Sequence, residues 1–152
     1  MKTKTFLLLC LFLCMATTQL FSQNKTVQFR VKDAEYHTHV FCEGVHVDFL
    51  SGTATLHQVY HLKNGNWQWE IDQYKGEAVS VGFEDDYGNI IVGTGEVFRV
   101  QEIDKCDLTE MLGVCHVNLI GNQGSHYIET FLIDPVTGEL IFVSAISVGN
   151  NK

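Results

Sequence analysis

The chain has 152 residues, of which 45% are hydrophobic, and its 18 acidic against 10 basic side chains give a formal net charge of −8. A chain of this length is long enough for one domain with a hydrophobic core. The acidic excess, without a stripe of basic side chains, argues against nucleic acid and anionic membrane surfaces as partners.

The segment 1–22 is typical of a secretory signal peptide. Lys2 and Lys4 give a basic start, residues 6–15 form an apolar run of ten, and a more polar cleavage region follows. Ten helical residues span only about 15 Å, about half of a bilayer core, so we expect no transmembrane span after cleavage. Cleavage after Ser22 removes both lysines and leaves a formal net charge of −10. The mature protein is therefore expected to be secreted, periplasmic or located at the cell surface.

Short β-strands are predicted along most of the mature chain. Apolar and polar residues alternate, as in strands with one buried face, at 27–31, 45–49 and 67–71. Further β-rich stretches lie at 77–83, 96–100 and 140–148. The Asn64-Gly65 pair predicts a tight type I′ hairpin turn, and a longer turn is predicted at 134–138. About nine or ten strands with hairpin spacing predict an all-β antiparallel β-sandwich of the immunoglobulin or prealbumin type.

One short helix is predicted near 107–112. Asp107 and Glu110 have the spacing of a capping box, in which the first caps the helix and the second reaches back to it. Gly113 is suited to end the helix. We expect about two turns of helix across an opening of the sheet.

Two sequence blocks of the first half of the chain recur in the second half with nearly the same offset. The block FRVKD at 29–33 returns as FRVQE at 98–102, and GVHVDFL at 44–50 returns as GVCHVNLI at 113–120. Two blocks in the same order and spacing arise by chance less readily than one, although β-proteins reuse these residue types. A genuine repeat would divide the single domain 23–152 into related halves, 24–92 and 93–152.

Several short motifs fall between residues 31 and 81, namely VKDA at 31–34, GVHV at 44–47, SGT at 51–53 and NGNWQW at 64–69. In this order they resemble the carboxypeptidase-regulatory-like (transthyretin-like) β-sandwich domains of exported bacterial proteins. The resemblance covers about a third of the chain, and residues 36–43 depart from the turn-rich stretch of that family. Members are generally non-catalytic accessory or adhesive modules, and the resemblance implies such a role here.

Five of the seven histidines fall in the short stretch from His37 to His61. In a strand, His37 and His39 would point to the same face about 6–7 Å apart, so both could bind one metal ion. The further ligands considered for a Zn or Cu site are Glu43, His46 and His57. The string HTHVFCE at 37–43 also resembles the first half of the cupin metal motif, which implies a cupin-like metalloenzyme, but the second half is not found. The other interpretation is that the histidines are solvated or hydrogen-bonded strand residues.

Three cysteines, Cys42, Cys106 and Cys115, remain after the signal is removed. In an oxidising compartment they predict one disulfide and one free thiol. A Cys106–Cys115 bond would close a short loop and stabilise the fold by roughly 2–3 kcal/mol. Pairing of Cys42 with Cys115 is the alternative.

Trp67 and Trp69 are two positions apart in a predicted strand and are expected to share one face. If exposed, they form a flat platform for sugar rings or a protein partner; if buried, they belong to the core.

No catalytic constellation is found, so we favour a non-enzymatic function. The leading prediction is an exported, non-catalytic module that binds a protein or a glycan at the cell surface or in the periplasm. One alternative is a Zn- or Cu-binding protein or metalloenzyme built on the histidines. Another is a structural subunit of an envelope assembly, which adds its edge strands to a neighbour.

Overall fold

Nine β-strands make up most of the computed structural model, which describes residues 24–134 and 136–148. In chain order they are β1 (Asn24–Cys42), β2 (Val45–Lys63), β3 (Asn66–Ser80), β4 (Gly82–Glu84), β5 (Ile90–Val92), β6 (Val97–Asp107), β7 (Leu112–Gly121), β8 (His126–Ile133) and β9 (Leu140–Ser147). The predicted all-β class is confirmed. The predicted signal peptide lies outside the described residues, and within them no helix is present that could cross a membrane.

Seven of the strands form one antiparallel meander in the order β1-β2-β3-β6-β7-β8-β9. The hairpin of β4 and β5 is a separate two-stranded sheet, and it is held to the meander where Val81 N donates to Phe49 O at 3.0 Å. The predicted tight turn between β2 and β3 is confirmed, because Asn64 and Gly65 have φ values of 55° and 79°.

The predicted helix near 107–112 is not formed; residues 108–111 are instead the turn between β6 and β7. Asp107 Oδ1 accepts hydrogen bonds from the backbone N–H groups of Thr109 at 2.8 Å and Glu110 at 3.2 Å, as an N-cap residue would. The chain nevertheless reverses direction, because Met111 has φ 53°, a left-handed value that a right-handed helix does not contain. The capping pattern therefore identifies a real local structure, but the following strand pairs back along β6.

The meander bends until its two ends meet. Phe41, near the end of β1, packs against Phe131 of β8 and Phe142 of β9, with ring centroids 5.9 and 5.5 Å apart. The backbone N–H of Phe41 also donates to Glu129 Oε1 at 2.6 Å. This closure encloses one face of the sheet and produces a sandwich-like packing. We call the enclosed face the inner face and the opposite face the outer face.

The hydrophobic core lies on the inner face. Its buried residues are Tyr36, Val40, Leu50, Ala54, Ala78, Phe98, Val100, Cys115, Val117, Leu119 and Phe131. Each large apolar side chain that is fully buried contributes about 1.5–3 kcal/mol. The first half of β1 extends beyond this core, and its Phe29 is 52% exposed.

The internal repeat stays a prediction. The first blocks lie on β1 and β6 and the second blocks on β2 and β7, so both pairs occupy adjacent antiparallel strands. Their surroundings differ, because Phe29 is exposed whereas Phe98 is only 1% exposed. The meander continues across the proposed boundary through the pairing of β3 with β6.

Cys42, Cys106 and Cys115 are free thiols, so neither predicted disulfide is formed. In the register of β6 and β7, Cys106 lies opposite Gly113 and Cys115 lies opposite Asp104. The two cysteines are therefore diagonal neighbours, whose Cα atoms are about 7–8 Å apart. A disulfide normally requires a Cα separation of about 4.4–6.8 Å.

We expect Cys42, Cys106 and Cys115 all to react with iodoacetamide when a chain of residues 23–152 is unfolded in urea without a reducing agent. Intact mass spectrometry should show three added groups, and reduction before labelling should not increase that number. A single added group that rises to three after reduction would contradict the free-thiol arrangement.

Candidate functional site

Four carboxyl groups, which we call the acidic cluster, lie on the inner face of β3 and β6. Glu70 and Asp72 on β3, and Glu102 and Asp104 on β6, belong to two copies of the tripeptide Glu-Ile-Asp. Alternation places both acids of each strand on one face, and the register places Asp72 directly opposite Asp104. Like charges directly opposite destabilise a sheet, so sheet stability does not account for this arrangement.

Burial raises the pKa of all four carboxyl groups. The effect is largest for Glu102, whose pKa is raised to about 7 by burial and then by the negative charge of Asp104. The Tyr36 hydroxyl donates to Glu102 Oε2. The thiol of Cys115 lies beside these two acids, and burial raises its pKa strongly.

Two oxygens of the acidic cluster have no hydrogen-bond partner among the described residues, Asp72 Oδ1 and Asp104 Oδ1. The other oxygen of Asp72 accepts a hydrogen bond from Gln58 Nε2 at 3.1 Å. A buried polar atom without a hydrogen-bond partner lowers the stability of the folded state. The fold therefore leaves two acceptors of the acidic cluster unpaired beneath the protein surface.

Two of these carboxyl groups and one thiol form the only set of three candidate metal ligands in the described part of the chain. Its members are Glu102, Asp104 and Cys115, and their ligand atoms all lie within 4.8 Å of one another. Oxygen and sulfur donors at this separation are chemically compatible with zinc. None of the predicted histidine ligands belongs to this set.

An aromatic groove opens beside the acidic cluster. It has a volume of about 400 Å³ and is lined by Val27, Phe29, Gln58, Tyr60, Leu62 and Trp67. The Tyr60 ring makes edge contacts with Phe29 and Trp67, with centroids 5.9 and 4.4 Å apart. Trp67 is 48% exposed, so the groove is open to solvent.

Two side chains connect the aromatic groove to the acidic cluster. Tyr60 pairs with Glu70 across β2 and β3, and burial together with the hydrogen bond to Glu70 raises the pKa of Tyr60 to about 12. Gln58 lines the groove and donates to Asp72. The groove and the acids therefore form one continuous surface along the inner face.

Trp67 and Trp69 do not share a face. Trp67 pairs with Leu62 and Trp69 pairs with His61, so Gln68 is an extra residue in a β-bulge. Trp69 stacks on His61 with centroids 5.1 Å apart, on the outer face, whereas Trp67 lines the inner groove. The expectation from alternation fails because the bulge shifts the following residues by one position.

The predicted histidine site does not come together. His37 and His39 lie on one outer face, where both rings pack against Phe49. His39 Nδ1 lies 3.0 Å from His46 Nε2, and burial followed by the charge of His46 lowers the pKa of His39. Within the residues that the structure covers, no third ligand joins these two imidazoles.

The other two predicted metal ligands lie apart from that pair. Glu43 is exposed in the turn between β1 and β2, with φ 51°. His57 lines a shallow polar depression on β1 to β3, with Nε2 3.4 Å from Gln28 Oε1. Of the five residues considered for a Zn or Cu site, Glu43 and His57 thus lie apart from the three histidines His37, His39 and His46.

The acidic cluster was not predicted from the sequence, although a signal for it is present. Glu-Ile-Asp occurs once at 70–72, where it overlaps the end of the predicted strand at 67–71, and once at 102–104, just after the predicted strand at 96–100. Acidic residues at alternate positions of two neighbouring strands place four carboxyl groups on one face. Which face this is depends on how the sheet closes.

Comparison of the chain with protein-family models, with curated proteins and with solved structures finds no significant match. The chemistry that the chain can perform is therefore inferred from the groups on its inner face.

Proposed function

We propose that this chain is an exported, non-catalytic module that binds a glycan in the aromatic groove, at the cell surface or in the periplasm. The observation that carries the proposal is the exposed ring of Trp67 in the aromatic groove. Two carboxyl groups, Glu70 and Asp72, border this groove opposite Tyr60 and Gln58. Export is supported by the signal-like segment 1–22.

The two kinds of surface in the site suit the two faces of a sugar. The apolar C–H face of a pyranose packs against aromatic rings, here Trp67 and Tyr60. Sugar hydroxyl groups donate to acceptors at the edge of the groove, where Gln58 is part of the lining and Glu70 lies opposite Tyr60. A volume of about 400 Å³ lies within the usual range of small-ligand sites, which combine apolar walls with a few polar groups.

The arrangement of the acids favours binding over cleavage. Glycoside hydrolysis generally requires two carboxyl groups on opposite sides of the scissile bond. All four members of the acidic cluster lie instead on one wall, formed by the neighbouring strands β3 and β6.

A Trp67→Ala variant is expected to lose at least tenfold in glycan affinity, about 1.4 kcal/mol, because it removes the largest aromatic ring of the groove. The measurement is a screen of soluble oligosaccharides on a glycan array, followed by titration calorimetry with the best ligand. Trp69→Ala is the matched control, because it removes the same side chain from the outer face.

Circular dichroism should show that both variants remain folded. The proposal is contradicted if the wild-type protein binds no glycan on the array. It is also contradicted if Trp67→Ala binds as the wild type does, or if both tryptophan variants lose affinity equally.

A further inference from the structure

The acidic cluster has no basic partner on its own two strands. The basic residues of β3 and β6 are Lys75, Arg99 and Lys105, and all three occupy the alternate positions that face outward. The cluster therefore carries an uncompensated negative potential on the inner face whenever its acids are ionised.

One lysine lies on the inner side of the neighbouring strands. Lys25 pairs with Leu62, whose side chain lines the aromatic groove. It is exposed near the start of β1, two strands away from Glu70 in the sheet order. Lys25 is not among the groups that shift the pKa of Glu70 or Asp72.

We propose that the glycan bound in the aromatic groove carries a protonated amino group, as an amino sugar does, and that this ammonium group sits against Asp72 and Glu70. The inference rests on the proposed function, because it names the class of glycan that the same groove selects.

The two acids that border the groove suit an ammonium group. Across β2 and β3, Glu70 lies opposite Tyr60 and Asp72 lies opposite Gln58, and both of these partners line the groove. Directly opposite residues on one face have Cβ atoms about 4.5–5.5 Å apart. An ammonium group has three donors and no acceptor, so one such group can donate to both carboxyl groups, which a single hydroxyl donor cannot do.

The aromatic rings of the groove also favour a positively charged ligand. Trp67 and Tyr60 line the groove in contact with each other, and Tyr60 lies opposite Glu70. A cation close to such a ring is attracted to its face. Burial, followed by repulsion from Asp72, raises the pKa of Glu70. A bound cation opposes both effects, so a charged ligand complements the groove better than a neutral one.

Three oligosaccharides with the same linkage and length test the inference. They are β-1,4-linked tetramers of glucosamine, of N-acetylglucosamine and of glucose, titrated calorimetrically into the mature protein near neutral pH and at low salt. We expect the glucosamine tetramer to bind at least tenfold more tightly than either neutral tetramer, because only it carries ammonium groups.

A Glu70→Gln, Asp72→Asn double variant should lose this preference and bind all three tetramers with similar affinity. The matched control is Glu77→Gln, which removes one charge from the outer side of the same strand and should leave the preference unchanged. A circular dichroism spectrum identical to that of the wild type confirms the fold of each variant.

The outcomes separate the two proposals. If the neutral tetramers bind as tightly as the glucosamine tetramer and Trp67→Ala weakens all three, the amino-sugar inference is overturned and the glycan site remains. If a preference for glucosamine survives in the double variant, the amine is bound elsewhere and the inference is overturned. If none of the tetramers binds, the inference is again overturned, and the glycan array decides the proposed function independently.

Discussion

A Gly76→Val variant is expected to lose about 3 kcal/mol or more of folding free energy, or to fail to fold. The backbones of β2 and β3 approach closely at this position. A Cβ atom on residue 76 would meet the carbonyl oxygen of Thr53 and would lie 2.5 Å from the Cα of Ala54. These are backbone atoms that cannot rotate away, so accommodating valine requires the two strands to separate.

Gly52 shows the same constraint from the other strand, because a Cβ there would meet the carbonyl oxygen of Glu77 and lie 2.6 Å from the Cα of Ala78. Urea denaturation followed by tryptophan fluorescence measures the effect. Lys75→Val is the control, because Lys75 lies beside Gly76 on the outer face and should change stability by about 0.5 kcal/mol at most. A Gly76→Val variant within about 1 kcal/mol of the wild type would show that the strands can separate easily.

A Glu129→Gln variant is expected to be more stable than the wild type at pH 8 and equally stable at pH 4. Glu129 is 0% exposed, and its Oε2 has no hydrogen-bond partner in the described residues. Burial raises the pKa of Glu129 from 4.5 to about 7. The amide of glutamine keeps an acceptor for the Phe41 N–H but does not ionise.

The direction in which stability changes with pH follows from the number of protons that the folded and the unfolded chain bind. Between pH 4.5 and about 7 the folded protein holds a proton on Glu129 that the unfolded chain has lost, so stability falls as pH rises through this window. The stabilisation is fully present below pH 4.5 and is lost above the folded pKa. We expect a difference of roughly 1–3 kcal/mol between the variant and the wild type at pH 8, an upper bound set by the pKa shift.

Urea denaturation of both proteins at several values from pH 4 to pH 8 checks this expectation. Glu102 also has a pKa raised to about 7, so the variant should retain part of the pH dependence. The surface variant Glu77→Gln is the control, and its free energy of unfolding should change with pH as that of the wild type does. Parallel stability curves for Glu129→Gln and the wild type would contradict a buried acid that titrates in this range.

Local patterns in the sequence specified the strands and the tight turn. The alternation over 27–31 and the Asn64-Gly65 pair depend on neighbouring residues only, and both correspond to elements of the structure. The capping pattern at Asp107 is equally local, but it forms in a hairpin turn instead of a helix. Hydrogen bonds between such close neighbours occur both at the start of a helix and in a hairpin turn. The pairing of β7 with β6 determines that the hairpin turn forms here.

The site depends on features that a local pattern does not contain. One extra residue, Gln68, turns Trp67 to the inner face and Trp69 to the outer face. The register of β3 on β6 brings Asp72 opposite Asp104, and that of β7 on β6 holds Cys106 and Cys115 apart. A shift of one residue in either register would move every side chain of that strand to a different neighbour or face.

The amino-acid sequence alone therefore establishes an all-β chain with its turns and the alternation of its strands, because these properties arise from backbone preferences over a few residues. The tertiary structure selects which alternate positions face inward, through contacts such as that of Phe41 with β8 and β9. Burial of the acids, the opening of the aromatic groove and the separation of the cysteines all follow from that closure and from the strand register. Both depend on contacts between residues far apart in the chain, and periodicity within one strand carries no information about them.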